Sequence, residues 1–419
     1  MSAQPAPVQE LRKLDQHELD AVCAKHDRLW TSKPGGARAV FAWKDLSGLD
    51  LRGRNLCDAD LTGAVLAGCL MQGVRLDHAN LFGADLQNAD LTDASLRRAD
   101  LRGACMRGAN LTGADLFEAD LREGSIAVGD RDRGLRVLEH INRVGEASGA
   151  ILAGANLERS RLSGVMAIKA DFSDAILKDA KLVRANLKQA NMAGANMAGA
   201  DLSGADLAGA DMRDVILVGA KTFAWNVTQA DMRGVLTDDP VGKSVEDLPY
   251  KSMIRDHAKW CETGGAEGTP SVFDNADLRA LETIRGFNLT ALSAKGAVFY
   301  GLDMEGVQLQ GAQLDGADLR NCNLRRADLR GARLIGAKLS GADLRDAQMG
   351  PLLLGADRTL ACNLTGALLK NTDLARADCR HAVFVDADLS RANFTSAMVR
   401  NANLTNAIRW GARGLEDVI

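Results

Sequence analysis

ANMAGANMAGADLSGADLAGADM, residues 190–212, returns to one pattern every five residues. Five is the period of neither regular secondary structure. On an α-helix each residue advances about 100°, so positions five apart lie about 140° out of line and an every-fifth leucine draws no stripe. On a straight strand an odd period throws successive leucines to opposite faces. The pattern becomes consistent when each quintet is a short extended piece followed by a turn. With the Leu or Met as centre, the Ala two residues earlier faces the same way and the Asp or Asn between them faces out. The other two residues, commonly Ser, Thr, Arg or Ala and then Gly or a polar residue, suit a change of direction. Equal sides joined by equal turns close into a coil, and stacked coils bury a continuous ladder of Leu and Ala.

Working outward, the register holds without insertion from Phe41 to Ile126, with Met71 and Met106 standing at leucine positions. It resumes from Leu152 to Met232 through Phe172, Met192, Met197 and Met212, with weaker members at Ala167 and Thr222. A third run starts near Phe273 and Leu278, shifts phase by one residue, and then holds from Leu289 to Leu404. Tandem A(D/N)LXX of this kind resembles the pentapeptide-repeat proteins, over most of the chain. The resemblance implies an all-β solenoid, a right-handed quadrilateral β-helix with four quintets per coil.

The places where the count fails define the remaining parts. Residues 1–40 read as an N-terminal helical cap, because VQELRKLDQHELDAVCAKHDRLW places Leu11, Leu14, Leu19, Val22, Cys23, Leu29 and Trp30 at amphipathic spacing before KPGG ends the segment. A stacked coil needs such a cap to cover its open edges and leucines. Residues 41–236 form the first block, with a helical excursion expected at 127–151, where Leu135, Leu138, Ile141 and Val144 are spaced along one helix face. Residues 237–272 read as a helical linker and second cap module. There HAKW followed by a double glycine echoes HDRLW and its double glycine. Residues 273–409 form the second block, and 410–419, with Trp410, Leu415, Val418 and Ile419, a C-terminal cap.

Composition agrees with this architecture and narrows the function. The chain has 419 residues, 46% of them hydrophobic, with only 4% aromatic and 42 glycines, so its core is built from aliphatic and small side chains. Lys plus Arg number 51 against 55 Asp plus Glu. A balance so near neutral points to neither a nucleic-acid binder nor a polyanion. The N-terminal sequence has no signal-peptide pattern and no apolar run reaches the roughly 20 residues of a membrane span, so a cytoplasmic protein is expected.

Few residues offer chemistry. The pairs His26/Trp30 and His257/Trp260 are the duplicated motif outside the quintets and are candidate cap or partner contacts. In the plainer reading each His packs on its Trp and hydrogen-bonds a backbone group within the cap. Cys69, Cys322 and Cys362 fall on the inward Ala position and Cys379 on the inward Leu position, which suits core filling by a small hydrophobe. His17, His78, His140 and His381 share no metal-site spacing, so no metal or cofactor is expected. Outward aspartates such as Asp60, Asp85, Asp90, Asp100, Asp115 and Asp120 are supplied mechanically by the repeat. They are not gathered into a low-dielectric pocket, and no catalytic motif is present, so an enzyme is not expected.

The function expected from the residues is a non-enzymatic scaffold for an unidentified protein partner, without direct nucleic-acid binding. The resemblance implies an alternative, a DNA mimic that binds a type II topoisomerase such as gyrase. That role needs a strongly anionic face, for which the stretch from Asp85 to Asp120 is the candidate, although Arg97, Arg98, Arg102 and Arg107 interrupt it. The resemblance also implies a homodimer through the C-terminal coils, with Trp410 in the interface.

Overall fold

The computed structural model describes residues 11–126, 141–243, 248–355 and 358–415. The chain forms two compact units, Met1–Asp238 and Asp239–Ile419. Each is a right-handed quadrilateral β-helix. Parallel bridges join residues twenty apart, as in Asp60 with Asn80 and Asp318 with Lys338, so four quintets make one coil. The stacking bond repeats throughout. The N–H of Leu61 donates to the Asn80 carbonyl at 2.7 Å, and the N–H of Asn80 donates back to the Ala59 carbonyl at 2.9 Å.

Between the first and last coils of each unit the inward pairs are buried, with centres such as Leu96, Phe172, Met197, Leu319 and Phe384 at 0–1% exposure. At three of the small inward slots a polar atom finds a carbonyl. Cys69 Sγ reaches Leu46 O at 3.0 Å, Cys322 Sγ reaches Phe299 O at 3.0 Å, and Thr372 Oγ1 donates to Leu339 O at 3.0 Å. The Thr372 hydroxyl would otherwise be a buried unsatisfied group costing about 1–3 kcal/mol, whereas a thiol, a weak donor, gains less from its bond.

The Asp or Asn at the outward position shapes the turn as well as facing solvent. Asp60 Oδ1 accepts the N–H of Thr62 at 3.1 Å, and Asn191 Oδ1 accepts that of Ala193 at 3.1 Å. This is an Asx turn, and it explains why the repeat wants these two residue types there. The last turn residue is left-handed, at φ 63° for Gly53 and φ 56° for Asp174, a conformation that Gly, Asn and Asp adopt most cheaply.

The interruptions are insertions that leave the columns of the coil in line. Asp120 pairs with Arg161 across the first one and Arg333 with Asn363 across another. In the first unit the chain leaves through β3 (Gly124–Ile126) and returns through β4 (Ile141–Arg143), paired antiparallel, so both ends of the excursion close on one point of the coil. Ile141 is thus on a strand, Val144 is exposed, and the quintets resume at Glu146, which pairs with Cys105. Leu135 and Leu138 lie outside the described residues. In the second unit a 3-10 turn at Arg279–Leu281 absorbs the one-residue phase shift. The break after Met349 is a hairpin, β5 (Leu352–Leu353) with β6 (Thr359–Leu360). Leu352 and Leu360 press against Gly331, where a Cβ would lie 2.9 Å and 3.1 Å from them, while Leu353 is 72% exposed.

Gly145 marks the return of the first excursion, and a Cβ there would stand 2.1 Å from the Leu121 carbonyl oxygen. Gly145→Ala is expected to destabilise the first unit by about 2–4 kcal/mol, because backbone must move to admit it. Gly53→Asn, at an open left-handed turn, should shift stability by less than about 0.5 kcal/mol. Thermal melts of the two variants check the contrast, and equal shifts would contradict it.

Candidate functional site

The two cap modules are built alike. In the first, β1 (Arg12–Lys13) pairs parallel with β2 (Lys44–Asp45) on the edge of the first coil, and α1 (Gln16–Trp30) follows. A capping box of Asp15 and Glu18 starts that helix. Leu19, Cys23 and His26 sit on one buried face of it, at the four- and three-residue steps that align on a helix. Gln16 completes the cover: its Nε2 donates to Asp50 O at 2.9 Å and its Oε1 accepts the Asp50 N–H at 3.0 Å. One side-chain amide thereby stands in for a neighbouring strand.

In the second unit Lys243 takes the edge-strand role, accepting the Asp277 N–H at 2.9 Å, and α2 (Tyr250–Glu262) follows. Tyr250 packs edge-on to Phe273, 5.7 Å between ring centres. The histidines hold equivalent places. His26 Nδ1 accepts the N–H of Ala39 at 3.1 Å, and His257 Nδ1 accepts that of Ser271 at 2.9 Å. Ala39 and Ser271 each stand two residues before the first inward phenylalanine, Phe41 and Phe273. Each His also lies against its Trp, at 6.4 Å for Trp30 and 5.7 Å for Trp260. The structure thus brings each expected pair together inside a cap but leaves the pairs in separate units. Sequence reasoning missed Gln16, which is one polar residue on an amphipathic helix and carries no signal of its partner.

Beside each helix lies an open groove, and the two grooves carry opposite charge. The first, about 850 Å³, is lined by Gln16, Asp20, Asp27, Asp50, Arg52 and Arg54, with Arg54 paired to Asp20 at 2.7 Å. The second, about 540 Å³, is lined by Arg255, Lys259, Glu262, Arg285 and Phe287. Lys259 is paired with Glu267, and Arg285 with Glu305 at 3.0 Å. Asp50 is held down to about 2, chiefly by its hydrogen bond to Arg52. The thiols are placed for packing. Burial pushes Cys23 and Cys69 up to about 11 and Cys362 up to about 12, so none of these presents a thiolate nucleophile at neutral pH. Among the described residues no group of three His, Cys, Asp or Glu is placed to hold a metal ion. No helix among them is long and apolar enough to cross a membrane.

The remaining candidates are the outer faces. The acidic stretch from Asp85 to Asp120 does not make one face. Asp85, Asp90, Asp100 and Asp115 belong to four different bridge columns. Arginine forks neutralise much of it: Arg102 binds Asp100 through Nε at 2.9 Å and Nη2 at 2.7 Å, and Arg97 reaches Asp115 at 2.6 Å. The carboxylate-rich face lies elsewhere. The bridge column through Asp50, Asp90, Asp171, Asp211 and Asp231 is flanked at its turns by Asp93, Asp174 and Asp214; Arg52, Arg213 and Arg233 fork onto Asp50, Asp211 and Asp231, and the other carboxylates leave the column with an excess of negative charge. Each unit also ends in a half-buried coil. Trp225, Val227 and Met232 close the first unit, and Val399 and Leu404 are near the end of the second. Phe223 is 82% exposed and Trp410 50%, the latter beneath the Arg391 guanidinium at 4.6 Å.

The sequence profile of the family described as "Pentapeptide repeats (8 copies)" matches residues 45–124, 147–219, 308–346 and 362–408. No curated protein matches the chain. Among solved structures, the chain is similar to HetL of the cyanobacterium Nostoc, described as a pentapeptide repeat protein involved in heterocyst differentiation regulation. Identity is 21%, covering 94% of this chain and 96% of that one, with a TM-score of 0.15. QnrB1, described as a plasmid-mediated fluoroquinolone resistance protein, is 19% identical over 54% of this chain and 90% of its own, with a TM-score of 0.22. A pentapeptide repeat protein of the cyanobacterium Cyanothece is 27% identical over 32% of this chain and 86% of its own, with a TM-score of 0.19.

Proposed function

Because the chain belongs to the pentapeptide-repeat family, we propose that it works as a non-enzymatic protein-protein interaction scaffold, recognising its partner on an outer face. The observation that carries this reading is the carboxylate-rich face around Asp171, Asp174, Asp211 and Asp214. The inward side chains fill the coils, so selectivity has to reside on the outside, and this face differs in charge from its neighbours. Its partner is a protein with a basic surface. Replacing Asp171, Asp174, Asp211 and Asp214 by Asn keeps the turn-forming side-chain oxygen while removing charge. Partner affinity is expected to fall by about tenfold or more, roughly 1.4 kcal/mol, with a weaker salt dependence. Cross-linked capture of a partner that is equal for the native chain and the fourfold variant would overturn the assignment of this face.

The same face favours a second reading, a DNA mimic that binds a type II topoisomerase. The discriminating measurement is a gyrase supercoiling assay with the purified protein. Inhibition or protection at micromolar concentration that the Asn variant loses supports it, and no effect removes it. A homodimer through the end of the second unit would cover Trp410, Ile408 and Met398, which are exposed there. Light scattering that gives a monomer at high concentration excludes that arrangement.

A further inference from the structure

The histidine that fastens α2 to its coil is fully buried and bonded on both nitrogens. His257 is 1% exposed. Its Nδ1 accepts the Ser271 N–H at 2.9 Å, and its Nε2 donates to the Thr290 carbonyl at 3.1 Å. Only the neutral ring with its proton on Nε2 can make both bonds, because an imidazolium carries a proton on each nitrogen and would set a second donor against the Ser271 N–H. The two bonds reach both ends of the first coil of this unit: Ser271 directly precedes Val272, where the coil starts, and Thr290 lies in the turn after Asn288, its last side, before Ser293 returns onto Val272. They tie the helix to the coil edge it covers. Tyr250 and Ile254 bury their side chains from the same helix, against Phe273 and the ladder behind it. The first unit uses the same bond at His26 and Ala39.

We propose that His257 is an acid-sensitive latch: its protonation releases α2 and uncovers the launching edge of the second β-helical unit. No carboxylate is among the described groups that bond or stack on the ring, so a positive charge there would have only the Thr290 carbonyl and the Trp260 ring beside it. From α2 the titratable neighbour is Cys261, whose Sγ lies 3.5 Å from the same Thr290 oxygen, and from the coil the ring meets backbone at Ser271 and Thr290. Trp260 flanks it on the helix. Burial lowers the His257 pKa from 6.5, outweighing the opposing effect of the Thr290 bond. The sign follows from linkage. The closed cap binds fewer protons than the opened one, so closure is fully supported above the ordinary imidazole range and is lost as pH falls through the lowered value.

Hydrogen exchange of the full chain, followed by mass spectrometry from pH 7.5 to 5.0 and corrected for intrinsic rates, tests the latch. Protection of the α2 amides is expected to fall by about tenfold per pH unit once His257 titrates, while the Leu309–Leu339 coils stay protected. His257→Gln should remove the pH dependence and keep the cap closed, since an amide carries the same acceptor and donor, as Gln16 does on Asp50. Protection of α2 that is flat from pH 7.5 to 5.0 in the native chain overturns the proposal, as does an equal fall in H257Q. Should H257Q not fold, the native His257 ring-proton shift supplies the second measurement. Its titration midpoint must coincide with the loss of α2 protection, and a midpoint displaced from it by a pH unit also overturns the latch.

Discussion

Leu96→Asp is expected to unfold the first unit. Leu96 is 0% exposed and belongs to the ladder that Leu76 and Leu116 continue on adjacent coils. Its surroundings are the inward aliphatic side chains of the ladder, which give a carboxylate neither an ion-pair partner nor a hydrogen-bond donor. A charge placed there has to be neutralised at high cost or expelled with its coil, and either exceeds about 5 kcal/mol. Such a loss approaches the whole stability of an ordinary domain, about 5–15 kcal/mol. Far-UV circular dichroism and trypsin digestion should show the first unit collapsed. Leu96→Met is the control, expected to cost less than about 1.5 kcal/mol, because Met71, Met106, Met192 and Met197 already occupy the same rank fully buried. Retention of a native melt by L96D would contradict this account of the interior.

Removal of residues 1–30 is expected to make the protein self-associate. The deletion strips β1, Gln16 and His26 from the first coil. It exposes the Asp45 carbonyl, both backbone groups of Asp50 and the Ala39 N–H, together with the buried Phe41, Leu46 and Leu51 beneath them. An unpaired parallel edge backed by apolar side chains is a template for another chain. Light scattering should report oligomers or aggregates where the intact chain gives one species, and a monodisperse truncated protein of unchanged size would refute the capping role. A milder probe is Asp15→Ala, which removes the helix N-cap and should cost about 1 kcal/mol.

Much of this architecture is readable without coordinates, for a reason visible in single quintets. The inward pair, the outward Asp or Asn and the two-residue turn all follow from steric alternation within five residues, so counting locates Leu96 or Met197 in the core directly. The Asp-Leu-Arg triplet is similarly local. Arg122 folds back on Asp120 through Nε at 2.9 Å and Nη2 at 2.7 Å, two residues away. The cap helices are also legible, from apolar spacing and the repeated His, Trp and double glycine. The expected excursion at 127–151 is harder to read. Ile141 and Val144 fit a helical period by chance of spacing, whereas the chain uses β4 to close the loop on itself.

What the sequence determined by itself is the coil: which residues point inward, where the chain turns, and that the result is a filled solenoid. Those properties depend on contacts within one quintet and on a repetition that any register preserves. What only the tertiary structure decided is which residues share a face and what seals the ends. Asp171 and Asp211 stand two coils apart in one column because four quintets close each coil. Asp85 and Asp90, five apart in the chain, look out from different sides for the same reason. The clasps of Gln16 on Asp50 and of His257 on Ser271 and Thr290 join residues 34, 14 and 33 positions apart. Their partners are backbone groups, which are the same in every residue, so no side-chain pattern could announce them before the coil closed.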